Sequence, residues 1–358
     1  MPAPTLFFNP AAMTRIWYNH GYSQTRDALA LLRRASGDLV LIASHAEVLA
    51  PVFLEADIGA VEPVFDRDTA DGATAYADWC LDFAAVHRVE LFVVQRGRGA
   101  IARRVAEFAQ IGTRLVLAAD AATLEILDDK ARFYAATRDA GLPTPLVFEV
   151  GGVDSFDGAV AAVRAAGFDA CIKPPHGVFG NGYWRLRDDI PLFDQLMDPD
   201  ARELHTAVVR AAVAGRADLP RLLVMQHLPG PEWSIDAVCR DGVLLAGVAR
   251  RKFAASQVIE THGPALDLAA RVARTFGLSN LVNIQLRAAA DGTPHVLEVN
   301  ARMSGGCLYA DLAGLNLPWL QLLGATGRWP LDEITPTAVT VSPVNAAVDV
   351  GARMFVDA

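Results

Sequence analysis

The stretch "LVNIQLRAAADGTPHVLEVNARMSGG" (281–306) decides how this chain is read. Alternating apolar and polar residues run up to Asp291-Gly292 and away from it, and an Asp-Gly pair between such runs predicts a β-hairpin with a two-residue type I′ turn. With those two residues as the loop, Gln285 lies opposite Glu298 and Asn283 opposite Asn300. Side chains alternate along a strand, so Glu298, Asn300 and Arg302 share one face while Leu297, Val299 and Ala301 take the other. Carboxylate and amide oxygens grouped in this way suit Mg²⁺, a hard cation with oxygen ligands. One protein carboxylate is few for Mg²⁺ unless phosphates supply the remaining anionic oxygens.

Outward from the hairpin, the bulk composition narrows the classes. The chain has 358 residues, enough for two or three packed units, and 52% apolar residues, enough for a large core. A net charge of -9 makes nucleic acid and anionic membranes poor non-specific partners. No apolar run approaches the roughly 20 residues a spanning helix needs. Cys80, Cys171, Cys239 and Cys307 are far apart and form no C-x-x-C pair, so neither a disulfide framework nor a zinc site is expected, and a reducing cytoplasm fits.

Residues 1–118 alternate between short apolar runs and helical patterns. Strands are expected at 5–8, 38–44, 91–95 and 114–119, and helices at 22–35, 75–88 and 99–110. Such alternation implies a parallel sheet covered on both faces, a Rossmann-like unit. Its loop after 5–8, with Asn9, Arg15, Tyr18 and His20, falls where open sheets often bind ligands. Gly97-Arg98-Gly99-Ala100-Ile101-Ala102 matches a dinucleotide fingerprint, but it follows a late strand, so a tight turn with close helix packing is the better reading. Residues 119–142 read as helical, with Gly141 past the helix end and Pro143 and Pro145 preventing continuation.

The hairpin resembles the metal-binding strand of the ATP-grasp family. That resemblance implies that Glu298 and Asn300 hold Mg²⁺, with Mn²⁺ as a substitute, that Gln285 holds the other metal position, and that Arg302 faces the transferred phosphate. It extends over about 119–310. Lys130 and Lys173 match phosphate-binding lysines, and Gly177, Gly180 and Gly182 resemble the glycine-rich lid loop. "LLVMQHLPGPEWSID" (222–236) resembles the hinge, with Gln226, His227 and Leu228 against adenine and Glu232 on the ribose. The resemblance places Arg250 and Lys252, which alternate onto one face, on a strand that in the family often faces phosphates or acyl substrate, and both are expected to point inward. The implied fold class is α/β (α+β ATP-grasp): a Rossmann-like domain at 1–118, then a two-lobed ATP-grasp domain at 119–330 with its lid sub-domain at about 144–226, and a strand-like tail at 331–358.

The implied activity is an ADP-forming, ATP-dependent carboxylate–amine ligase, with small-molecule carboxylate and amine (or thiol) substrates and a homodimer common among relatives. Alternatives are an ATP-grasp kinase or carboxylase, and a non-catalytic nucleotide-binding module. His262 and Cys307 are expected to be ordinary neutral residues.

Overall fold

A computed structural model describes residues 13–21, 24–66, 69–177, 180–329, 334–344 and 347–350. The chain forms two compact units. The first comprises Met1–Leu124, Ser234–Asn283 and Asn300–Ala358, and the second Glu125–Trp233 and Ile284–Val299.

The first unit opens with strands β1 (Thr14–Tyr18), β2 (Leu39–His45), β3 (Ile58–Val61), β4 (Leu91–Val93) and β5 (Arg114–Val116). They form a five-stranded sheet in the order β3-β2-β1-β4-β5, with every neighbouring pair parallel. The order reverses between β1 and β4, which makes the carboxyl ends there a topological switch point. A sheet covered on both faces takes near-continuous apolar strands. Accordingly Ile16, Trp17 and Tyr18 are all buried, and Trp17 stacks on Phe92 with ring centroids 3.9 Å apart.

Two expectations change here. The strand expected at 5–8 and Asn9 lie outside the described residues. Arg15 and Tyr18, expected in a loop, belong to β1, because both faces of "TRIWY" are needed to pack the sheet centre. The 99–110 helix is two helices, Arg98–Ala102 and Val105–Gln110. Gly97 precedes them at φ 71, and a Cβ there would lie 2.8 Å from the Tyr76 ring, so this glycine answers to a left-handed backbone and close packing.

In the second unit lie β6 (Val147–Val150), β7 (Ala170–Lys173), β8 (Trp184–Arg187), β9 (Glu203–His205) and β10 (Leu222–Gln226), in the order β6-β10-β7-β8-β9. Their core includes Phe156, Val160, Ile172 and Val224. The expected helix 119–142 is broken into Ala121–Asp128 and Lys130–Asp139, because the Asp129 side chain caps the second by accepting from the Ala131 and Arg132 amides.

The remaining strands are β11 (Glu232–Arg240), β12 (Val243–Lys252), β13 (Gln257–Glu260), β14 (Asn280–Ala288), β15 (Pro294–Asn300) and β16 (Val339–Val341), in the order β15-β14-β11-β12-β13-β16. The predicted hairpin is β14–β15, but its turn differs. The Ala289 carbonyl accepts from Gly292 and the Ala289 amide donates to Thr293, which leaves a three-residue loop, Ala290-Asp291-Gly292. A type I′ turn needs positive φ at both loop residues; Gly292 has φ 87, whereas Asp291 is not among the residues with positive φ. Asp291 instead accepts from the Thr293 amide at 2.9 Å, a local bond that favours the longer loop. At the far end, Asn300 Nδ2 lies 3.4 Å from Asn283 Oδ1. No helix among the described residues is long and apolar enough to cross a membrane.

Candidate functional site

In the second unit, Lys130, Lys173, Tyr134 and Glu298 form one cluster. Lys130 opens its helix, and its amide donates to the Pro175 carbonyl at 3.0 Å. Its Nζ donates to the Gly177 carbonyl at 2.8 Å and sits 3.7 Å from Glu298 Oε2. Lys173 ends β7 and donates to the Tyr134 hydroxyl at 2.8 Å, while Tyr134 donates to the Leu297 carbonyl of β15 at 2.7 Å. Tyr134 therefore joins the lysine strand to the glutamate strand. Burial pulls both lysines below the ordinary 10.5, and the Glu298 charge pushes back only in part. Desolvated, incompletely balanced ammonium groups are the feature an anion would satisfy.

Gly177, Gly180 and Gly182 have φ of 135, 64 and 73, all in the left-handed region. A Cβ on Gly182 would lie 2.8 Å from Pro174, so the loop passes close to its own base.

The hinge residues are mostly committed. Gln226 is buried, and its amide donates to the Leu146 carbonyl while its Oε1 accepts from the Leu146 amide. The His227 amide donates to Asp169, and its ring meets the Tyr183 hydroxyl at 2.6 Å; burial followed by nearby Arg185 lowers its pKa to about 4, so the ring is neutral. Leu228 is buried, and Glu232 Oε2 lies 3.8 Å from Arg287 Nη1.

In the first unit, Arg250 is 3% exposed and does point inward, but its donors are occupied. Nε meets Asp236 at 2.6 Å, Nη1 meets Gln257 at 2.7 Å, and Nη2 meets Ser234 at 3.0 Å and Ser304 at 2.7 Å. Asp236 accepts in turn from Asn283 Nδ2 at 2.9 Å, and Asn283 Oδ1 faces Asn300 Nδ2. The chain Arg250–Asp236–Asn283–Asn300 therefore fixes the Asn300 amide nitrogen on protein, which leaves its carbonyl oxygen as the group suited to a cation. A Cβ on Gly306 would lie 2.3 Å from Arg250 Nη1, which explains a glycine at that position after β15. Arg302 follows β15 half-buried, with Nη1 on the Met303 carbonyl at 3.0 Å. Gln285 is half-buried in β14, and Lys252 half-buried at the end of β12.

Among the described residues no three His, Cys, Asp or Glu side chains gather as a metal cage. The donor set fits a cation that brings its own anionic ligands: Glu298 supplies one carboxylate, and Asn300, two residues on in the same strand, an amide oxygen.

The described residues superpose on known enzymes over most of the chain. The L-amino acid ligase of Bacillus licheniformis matches with TM-score 0.64 and 15% identity, covering 93% of this chain and 81% of that one. An N5-carboxyaminoimidazole ribonucleotide synthetase in its ADP complex matches with TM-score 0.66 and 14% identity, covering 92% and 81%. This is the ATP-grasp fold. The biotin carboxylase domain of Hydrogenobacter thermophilus 2-oxoglutarate carboxylase, a dimer with MgADP, matches with TM-score 0.62 and 16% identity, covering 90% and 72%. A family model described as "ATP-grasp in the biosynthetic pathway with Ter operon" matches residues 218–347. No curated protein is matched by sequence alone.

Several neighbours of these residues escape a motif reading. Tyr134 looks like an ordinary helix aromatic, and Ser304 like part of a flexible "MSGG". Ser234 and Asp236 carried a usable signal, since polar residues two apart inside the apolar strand β11 must both meet partners when buried.

Proposed function

We propose that the protein is an ADP-forming ligase that activates a carboxylate with Mg-ATP and passes the acyl group to an amine. The observation that carries this reading is the cluster of two half-buried lysines, Lys130 3.7 Å from Glu298 and Lys173 on the Tyr134 hydroxyl, in which burial outweighs the Glu298 charge. Lys130 and Lys173 would bind the phosphate oxygens, and Glu298, Asn300 and Gln285 would hold Mg²⁺. When bound, the ion neutralises charge on the phosphates.

A carboxylate oxygen attacks the γ-phosphorus, the bond to the β–γ bridging oxygen breaks, and ADP leaves with those electrons. Amine nitrogen then attacks the acyl carbon, loses a proton, and inorganic phosphate departs. Phosphoryl transfer requires positioning and charge stabilisation more than covalent help, which suits a site of lysines and Arg302. Arg250 acts through Asp236 and Asn283 as a positioning residue. Gly177, Gly180 and Gly182 would bring backbone N–H groups up to phosphate, and residues 226–228 with Glu232 would meet the nucleoside. The buried thiols of all four cysteines suit a reducing cytosol.

Lys173→Ala is expected to weaken Mg-ATP binding roughly 10- to 100-fold, since a charge-assisted hydrogen bond contributes about 1.5–3 kcal/mol. Calorimetry reads this directly, and unchanged affinity removes Lys173 from the site. Because both lysine pKa values are lowered, the wild-type affinity should begin to fall with rising pH before the ordinary lysine value of 10.5 is reached.

A further inference from the structure

A cavity of about 170 Å³ opens in the first unit, where the start of β5, the end of β11, the start of β14 and the carboxyl end of the helix Leu317–Ala325 meet. Arg114, Arg240 and Ser279 line it beside the apolar Leu115, Val238 and Ala325. Arg240 is exposed and Arg114 half-buried. Among the described residues neither guanidinium pairs with a carboxylate, and no Asp or Glu lines the cavity.

Local bonds hold these groups in place. The Ser279 amide donates to the Ala118 carbonyl at 2.7 Å, and Asn280 Nδ2 donates to the Leu117 carbonyl at 2.7 Å, which ties the start of β14 to the end of β5. Past Arg240, the Asp241 amide donates to Ser279 Oγ at 2.9 Å, so this oxygen accepts, and its proton has no acceptor among the described residues. At the helix end, the carbonyls of Leu322, Leu323 and Gly324 accept from the amides of Thr326, Arg328 and Gly327, and the Ala325 carbonyl accepts from Arg114 Nη1. The helix therefore turns no unmet acceptor toward the cavity. What remains are donors: the other N–H groups of Arg114, the Arg240 guanidinium and the Ser279 hydroxyl.

The space is far larger than the roughly 10–15 Å³ that one water needs, and an engineered cavity of about 150 Å³ admits benzene. Two guanidinium groups without carboxylate partners, in a chain of net charge -9, suit an oxyanion, which the planar fork of arginine meets with two parallel bonds. Leu115, Val238 and Ala325 offer the other wall to hydrocarbon. We infer that this cavity is a second ligand site, built from residues apart from the Lys130–Lys173–Glu298 cluster, and that it takes a small organic anion, a carboxylate on a short branched chain.

Calorimetric titration of the full chain with isovalerate, with its neutral isostere isovaleramide and with inorganic phosphate, at fixed ionic strength and without ATP, tests the inference. Isovalerate should bind saturably at one site, and isovaleramide at least about 10-fold more weakly. Arg240→Gln, at an exposed position, should weaken isovalerate roughly 10-fold or more, the loss of a charge-assisted hydrogen bond. Arg240→Glu should abolish binding, and Mg-ATP affinity should stay at the wild-type value in both variants. Absence of saturable isovalerate binding, equal binding of acid and amide, or unchanged affinity in both Arg240 variants overturns the inference. So does a loss in Arg302→Gln with none in Arg240→Gln, which would move the acid to the proposed ligase's own site. Phosphate binding as tightly as isovalerate overturns the organic anion and leaves a site for a bare oxyanion. Because the titration omits ATP, its failure leaves the ligase reading untouched, and failure of that reading leaves this site standing.

Discussion

Glu298→Ala combined with Asn300→Ala is expected to abolish magnesium-dependent ADP release, lowering kcat by about 10³-fold or more, while the circular dichroism spectrum stays native. The two residues occupy alternate positions of β15 and are partly exposed, so their removal opens no core cavity. What is lost is the protein's share of the cation that neutralises the phosphates in the transition state, and losing such preorganised charge stabilisation costs catalysis far more than stability. Glu298→Ala alone also deprives Lys130 and Lys173 of their largest opposing charge, so both lysines should titrate still lower. Glu298→Gln separates the effects, since it keeps the shape and an oxygen ligand but not the charge. Turnover at the wild-type rate in the double variant would remove this strand from the chemistry.

The largest stability effect is expected at Asp236. It is fully buried with Arg250, and removing one partner of such a pair leaves an uncompensated charge, a loss of about 3–5 kcal/mol. Asp236→Ala also takes an acceptor from Asn283 and so loosens Asn300. Urea unfolding should shift accordingly. The double change Asp236→Ala with Arg250→Met should recover part of the loss, because no charge is then stranded. Equal destabilisation in both would mean that packing, not charge, explains the effect.

The ATP-grasp architecture was legible because several local signals agree. Apolar runs separated by helical patterns mark the parallel sheet, and the alternation of Glu298, Asn300 and Arg302 against Leu297, Val299 and Ala301 marks the hairpin. Less legible were features settled by tertiary context. The turn at 290–292 follows from the Asp291 side chain bonding to Thr293, which a dipeptide preference does not weigh. β1 is carried by "TRIWY" because a central strand needs apolar residues on both faces, and its Arg15 masks that apolar run in sequence. Asp129 reads as one more helix residue, yet it caps a new helix and so fixes where Lys130 begins. The inward direction of Arg250 follows from alternation, but its four partners come from three other segments of the chain, and no spacing rule pairs them. Arg114 and Arg240 are equally silent in sequence, since an arginine at a strand end is ordinary until the fold brings both to one cavity.

The central claim is that a carboxylate oxygen attacks the terminal phosphate of ATP. Supplying an ¹⁸O-labelled acid that elicits ADP release, together with an amine, and analysing the liberated phosphate by mass spectrometry tests it directly. The account predicts one labelled oxygen per phosphate; phosphate whose new oxygen comes from water would contradict it.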